Sequence, residues 1–130
     1  MSKEEIKILL VDDEKQFVDT LAERLAMRGF SARVAYDGPQ ALKAVEEPTD
    51  VIVLDLRMPG MDGLEALKRM RALEGCPPVV IMTAYSTTET AIEATRLGAF
   101  DYMLKPFDIP QVLELLQRAL AAGESQRRHE

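Results

Sequence analysis

Ile6-Lys7-Ile8-Leu9-Leu10-Val11-Asp12-Asp13 and, further along, Val51-Ile52-Val53-Leu54-Asp55 follow one plan: a short apolar run that ends on acid. Val79-Val80-Ile81-Met82-Thr83 repeats the plan with a hydroxyl, and Tyr102-Met103-Leu104-Lys105 repeats it with an amine. Runs this short, continuous in apolar character and rich in β-branched residues read as strands buried on both faces. The strand candidates are 6–11, 31–36, 51–55, 79–83 and 100–104. Ser31-Ala32-Arg33-Val34-Ala35-Tyr36 alternates polar with apolar, so it belongs nearer an edge. Longer segments of helical period separate the runs, and that alternation is the signature of an α/β sheet. In a parallel sheet the strand ends gather on one edge, where such folds bind ligands.

Working outward, each strand should be followed by a helix. The first spans about 14–28, with Phe17, Leu21 and Leu25 on one face and Gly29 after its end. The second opens at Asp37-Gly38-Pro39-Gln40, with Pro39 suited to a first turn. Asp62-Gly63-Leu64-Glu65 and Ser86-Thr87-Thr88-Glu89 have capping-box spacing and open the third and fourth. The fifth starts at Asp108-Ile109-Pro110-Gln111 and ends near Ala122, leaving 123–130 as a polar, frayed tail or the start of a linker. Residues 1–122 therefore form the domain.

The totals bound the function. At 130 residues and 47% apolar, the chain has the size and the core of one domain. Sixteen basic residues against twenty-two acidic ones give a net charge of −6, which argues against binding nucleic acid or anionic membrane by this domain alone. Cys76 is the lone cysteine, reads as a small apolar residue and suits a reducing cytoplasm. No apolar run approaches the ~20 residues of a membrane span, and Met1-Ser2-Lys3-Glu4-Glu5 does not resemble a signal peptide.

The residues at the sheet edge carry the chemistry. Two charges ~4 Å apart repel by ~4 kcal/mol at an effective dielectric of ~20. Asp12, Asp13 and Asp55 together therefore need a cation, or one of them must stay protonated. An all-oxygen site with few protein ligands suits Mg²⁺, which keeps waters and bridges to phosphate oxygens. A carboxylate held there can act as a nucleophile towards phosphorus. Lys105 adds a positive charge for a phosphoryl oxygen and Thr83 a hydroxyl donor. Each residue alone has a plain structural reading; Asp13, with Gln16 at capping distance, could simply cap the first helix. All five at one edge point to phosphoryl chemistry.

With these residues in place, the chain resembles the receiver domains of two-component response regulators. The resemblance rests on Leu9-Leu10-Val11-Asp12-Asp13-Glu14, Asp55-Leu56-Arg57-Met58-Pro59-Gly60-Met61-Asp62-Gly63, Met82-Thr83-Ala84-Tyr85, and Gly98-Ala99-Phe100-Asp101-Tyr102-Met103-Leu104-Lys105-Pro106-Phe107. It spans about residues 5–122 and looks most like receivers attached to enhancer-dependent transcription activators. It implies a flavodoxin-like (βα)5 doubly wound sheet of five parallel strands, order 2-1-3-4-5. It implies that Asp55 is the phosphoacceptor and that a sensor histidine kinase or phosphotransfer protein is the donor. Asp13 and Asp55 would ligate Mg²⁺ directly, Asp12 largely through water, and the Arg57 backbone carbonyl would complete the protein ligands. Thr83 and Lys105 would contact the phosphoryl group. Tyr102 would be an aromatic switch that follows Thr83 inward. The face of the fourth helix, fifth strand and fifth helix would be the output surface, through which a homodimer could form. On this reading the domain is a signalling switch in the cytoplasm, without membrane attachment, and no enzyme beyond catalysing its own phosphorylation and slow dephosphorylation.

Two other classes stay open on the residues alone. A haloacid-dehalogenase-like phosphatase also passes through an aspartyl phosphate, but it wants an acid where this chain has Arg57. A flavodoxin-like electron carrier would set its flavin phosphate after the first strand, where Asp12-Asp13-Glu14 would repel it.

Overall fold

The computed structural model describes residues 6–56, 63–84, 88–105 and 108–128. Five strands alternate with five helices: β1 (Lys7–Val11), α1 (Lys15–Ala26), β2 (Ser31–Ala35), α2 (Gly38–Ala44), β3 (Val51–Asp55), α3 (Gly63–Arg71), β4 (Val79–Thr83), α4 (Thr88–Arg96), β5 (Asp101–Leu104) and α5 (Ile109–Arg128). The strands pair in parallel in the order β2-β1-β3-β4-β5, which is the expected doubly wound order.

Alternation within each central strand builds two cores. Leu9, Val11, Ile52, Leu54, Val79 and Ile81 face α2, α3 and α4, meeting Ala41, Leu67, Met70 and Ala94. Ile8, Leu10, Val51, Val53, Val80 and Met82 face α1 and α5, meeting Val18, Leu21, Leu25, Val112, Leu115 and Leu116. Because β3 and β4 are buried on both faces along their whole length, their sequences show no polar alternation. The edge strand β5 does alternate, exposing Tyr102 and Leu104 and turning Met103 inward.

Among the described helix starts, those of α2 and α5 follow local chemistry and that of α1 does not. Asp37 Oδ1 accepts from the Gln40 N–H at 2.8 Å. Asp108 and Gln111 cap α5 reciprocally, at 3.1 and 2.9 Å. Asp13, however, does not cap α1; Glu14 occupies that position and its side chain makes no capping bond. Asp12 Oδ1 instead accepts from the Glu14 N–H at 2.9 Å. At the other end of α1, Gly29 takes the left-handed turn with φ +92°.

α5 runs past Ala122 to Arg128, where a frayed tail is expected from the sequence. Gly123 is buried within it, and the following Glu, Gln and Arg are good helix formers, so tertiary packing overrides the glycine. The caps expected at Asp62 and Ser86 lie outside the described residues. Among the described residues, no helix is long and apolar enough to cross a membrane.

Gly63 shows how tightly the sheet edge is built. Its N–H donates to the Leu56 carbonyl at 2.9 Å. A Cβ there would strike the Leu56 Cα and come within 2.6 Å of the Asp55 carbonyl oxygen. Backbone, not a flexible side chain, would have to move. Gly63→Ala is therefore expected to lower the unfolding free energy by about 1–3 kcal/mol. Urea denaturation checks this, and an unchanged midpoint would show that α3 can shift at no cost.

Candidate functional site: an acidic pocket at the sheet edge

The C-terminal ends of β1, β3, β4 and β5 bring five expected residues together. Asp12 follows β1 and is fully buried, Asp55 ends β3 at 4% exposure, and Thr83 ends β4 at 1%. Asp13 follows Asp12 and is exposed. Carboxylate oxygens of Asp12, Asp13 and Asp55 all lie within 4.8 Å of one another. Lys105 follows β5, and its N–H donates to the Thr83 carbonyl at 2.9 Å. The strand register that carries the hydroxyl thus also fixes the root of the amine.

The Lys105 ammonium reaches back across the pocket. Nζ lies 2.7 Å from Asp12 Oδ2, 2.7 Å from Glu14 Oε1 and 3.6 Å from Asp55 Oδ2. It also sits 4.4 Å from the centroid of the Phe17 ring. Burial by itself pushes the Lys105 amine down, but hydrogen bonds to Asp12 and Glu14 and the charges of Asp12 and Asp55 outweigh it, so its pKa is raised.

Glu14 and Phe17 were not among the site residues expected from sequence. Glu14 stood only as an extra charge after the Asp pair, and Phe17 as a core residue of α1. The usable signal was spacing: positions 14 and 17 share a helix face one turn apart, directly after the strand that delivers Asp12. Tyr102 is not brought to the pocket. It points outward, 43% exposed, and lines a shallow groove with Ala91, Ile92, Thr95 and Arg96. Arg57, expected to offer its carbonyl to a metal, lies outside the described residues.

Among the described residues, Lys105 is shared by Asp12, Glu14 and Asp55, and the ligand atoms offered by Asp12, Asp13 and Asp55 are all oxygens. That set fits a hard divalent cation, the Asp12–Asp13–Asp55 cluster being the place for it.

The model of the response regulator receiver domain matches residues 8–117. The chain belongs to this family. Regulatory protein AtoC of Escherichia coli K12 is 47% identical over 115 residues, covering 88% of this chain and 25% of AtoC. Transcriptional regulatory protein ZraR of the same strain is 43% identical over 126 residues, covering 96% of this chain and 29% of ZraR. The receiver thus spans between a quarter and a third of the length of these relatives. Among solved structures, a CheY-like receiver from Methanospirillum hungatei JF-1 superposes with a TM-score of 0.90 at 25% identity, covering 95% of this chain and 99% of that one. The phosphatase and flavin-carrier readings give way to this family, a regulatory phosphoacceptor domain.

The raised Lys105 pKa has a pH signature. A folded pKa above the unfolded value contributes stability that is fully present below the unfolded value of 10.5 and is lost as pH rises through the folded one. Lys105 is expected to stay an ammonium throughout neutral and mildly alkaline solution. Its ε-carbon resonance, followed by NMR, should titrate above 10.5, and a midpoint below that value would contradict the pairing.

Proposed function

We propose that Asp55 is the phosphoacceptor of this receiver and takes its phosphoryl group from the phosphohistidine of a sensor histidine kinase or phosphotransfer protein. One observation carries the reading: Asp55 is buried at the end of a central strand, within 4.8 Å of two further carboxylates and 3.6 Å from the Lys105 ammonium. An Asp55 oxygen attacks phosphorus, the P–N bond breaks, and the imidazole leaves with the electron pair. The protein's work is placement and charge neutralisation. Asp12, Asp13 and Asp55, with the Arg57 carbonyl, would hold Mg²⁺. When bound, that ion supplies positive charge to the oxygens of the transferring group. Lys105 has only to swing from Asp12 and Glu14 to meet another phosphoryl oxygen, and the Thr83 hydroxyl donates to a third.

The signal leaves through Thr83 and Tyr102. As Thr83 is drawn towards the phosphoryl group, Tyr102 turns from the surface into the space it vacates, changing the α4–β5–α5 face. Two features support this relay. Ala94 is the one fully buried side chain described on α4, so that helix is lightly anchored. Ile92, Tyr102 and Leu104 are 48%, 43% and 49% exposed on that side, a surface suited to a second copy or another partner. Residues 1–122 are the receiver, and 123–130 are a tail or the start of a linker. In a longer protein the receiver would govern an output domain of an enhancer-dependent transcription activator. With its net charge of −6, the receiver itself would not touch DNA. The expected setting is the cytoplasm, off the membrane.

Asp55→Asn is expected to abolish labelling by a phosphorylated histidine kinase or by acetyl phosphate, and chelating Mg²⁺ from the wild-type domain should do the same. Labelling that survives in Asp55→Asn would sink the assignment. With Mg²⁺ and beryllofluoride, an aspartyl-phosphate mimic, light scattering should show the mass shifting towards a dimer, and Tyr102→Ala should weaken that shift. An unchanged wild-type mass would mean that the α4–β5–α5 face serves a different partner.

A further inference from the structure

We propose that Glu14 is a positioning residue for Lys105, holding the ammonium at the rim of the pocket in competition with the phosphoryl group on Asp55. The proposal rests on Asp55 being the phosphoacceptor. The geometry is a two-sided clamp made by the first turn of α1. The Glu14 carboxylate takes Nζ at 2.7 Å, and the Phe17 ring lies 4.4 Å beneath it. Lys105 is thereby drawn away from Asp55, which it approaches only to 3.6 Å.

Among the described residues, Lys105 is the partner of the Glu14 carboxylate. As the residue just before the helix it could cap α1, yet its side chain makes no capping bond. Its backbone is fixed instead: the Glu14 N–H donates to Asp12 Oδ1 at 2.9 Å and its carbonyl accepts from the Val18 N–H at 3.0 Å. The carboxylate is therefore delivered to Lys105 from an immobile root. It also stands outside the cluster of Asp12, Asp13 and Asp55. A divalent cation entering that cluster would draw on the charge of Asp12 and loosen its hold on Lys105, whereas the Glu14 pair would persist. Glu14 is then the group the ammonium must leave in order to reach a phosphoryl oxygen.

The size of the effect follows from exposure. The Glu14 side chain is 60% exposed, while that of Lys105 is 9% exposed. A pair open to water on one side is a weak one, worth a few-fold in affinity. That is enough to tune the occupancy of Lys105, and too little to block phosphorylation.

The test is calorimetric titration of the domain with beryllofluoride at saturating Mg²⁺, comparing wild type with Glu14→Gln and Glu14→Asp. Glu14→Gln removes the charge. Glu14→Asp keeps it but withdraws the carboxylate by one methylene. Both variants are expected to bind beryllofluoride about two- to fivefold tighter, because Lys105 is released. Equal affinity in wild type and Glu14→Gln would overturn the proposal. So would a tighter Glu14→Gln beside a Glu14→Asp that matches wild type, since the gain would then come from net charge. A wild-type domain that fails to bind beryllofluoride would instead refute the phosphoacceptor reading of Asp55.

Discussion

An ionised carboxylate stripped of water needs a counter-charge. Among the described residues, two carboxyl side chains are buried, Asp12 and Asp55, at the ends of adjacent central strands. Lys105 answers both from the far side of the sheet, through a side chain that is itself 9% exposed. That bridge explains why the end of β5 must sit where it does, since Lys105 is rooted by its backbone bond to Thr83. Among the described residues, three carboxylates, those of Asp12, Glu14 and Asp55, share the Lys105 ammonium. The Asp12–Asp13–Asp55 cluster could hold a metal ion.

The same economy runs through the surrounding structure. The Asp12 carboxylate receives Lys105 through Oδ2 and the Glu14 N–H through Oδ1, so it joins the pocket to the start of α1. Gly63 lets α3 close against Leu56 and Asp55 without a Cβ between them. α4 carries a single buried side chain among those described, Ala94, and it lies beside the outward-facing Tyr102. A rigid acidic pocket next to a lightly packed helix is what a switch requires: a local charge change has a compliant element to act upon.

Much of this was legible before any coordinates. The five strands agree with the sequence reading to within a residue or two, because central parallel strands must be apolar on both faces and announce themselves as continuous runs. Asp12, Asp13, Asp55, Thr83 and Lys105 were readable as a set because each interrupts or follows such a run. Local spacing decides less. It leaves helix capping open as the plain alternative for Asp13, but the structure places Glu14 at the start of α1, and Asp12 takes the Glu14 N–H. A glycine suggests an end to α5 near Ala122, but the helix continues to Arg128 with Gly123 buried within it.

By itself, the sequence determined the layer order, the two hydrophobic faces and the chemistry available at one edge, all properties carried by short runs of residues. Only the tertiary structure decided how that chemistry is wired. Lys105 and Glu14 are 91 residues apart, and no local pattern says that they touch. Phe17 could as well have been spent on the core. Tyr102 could have faced inward. These outcomes depend on how α1, β5 and α4 meet across the sheet, and such meetings are settled by packing and charge balance between distant segments.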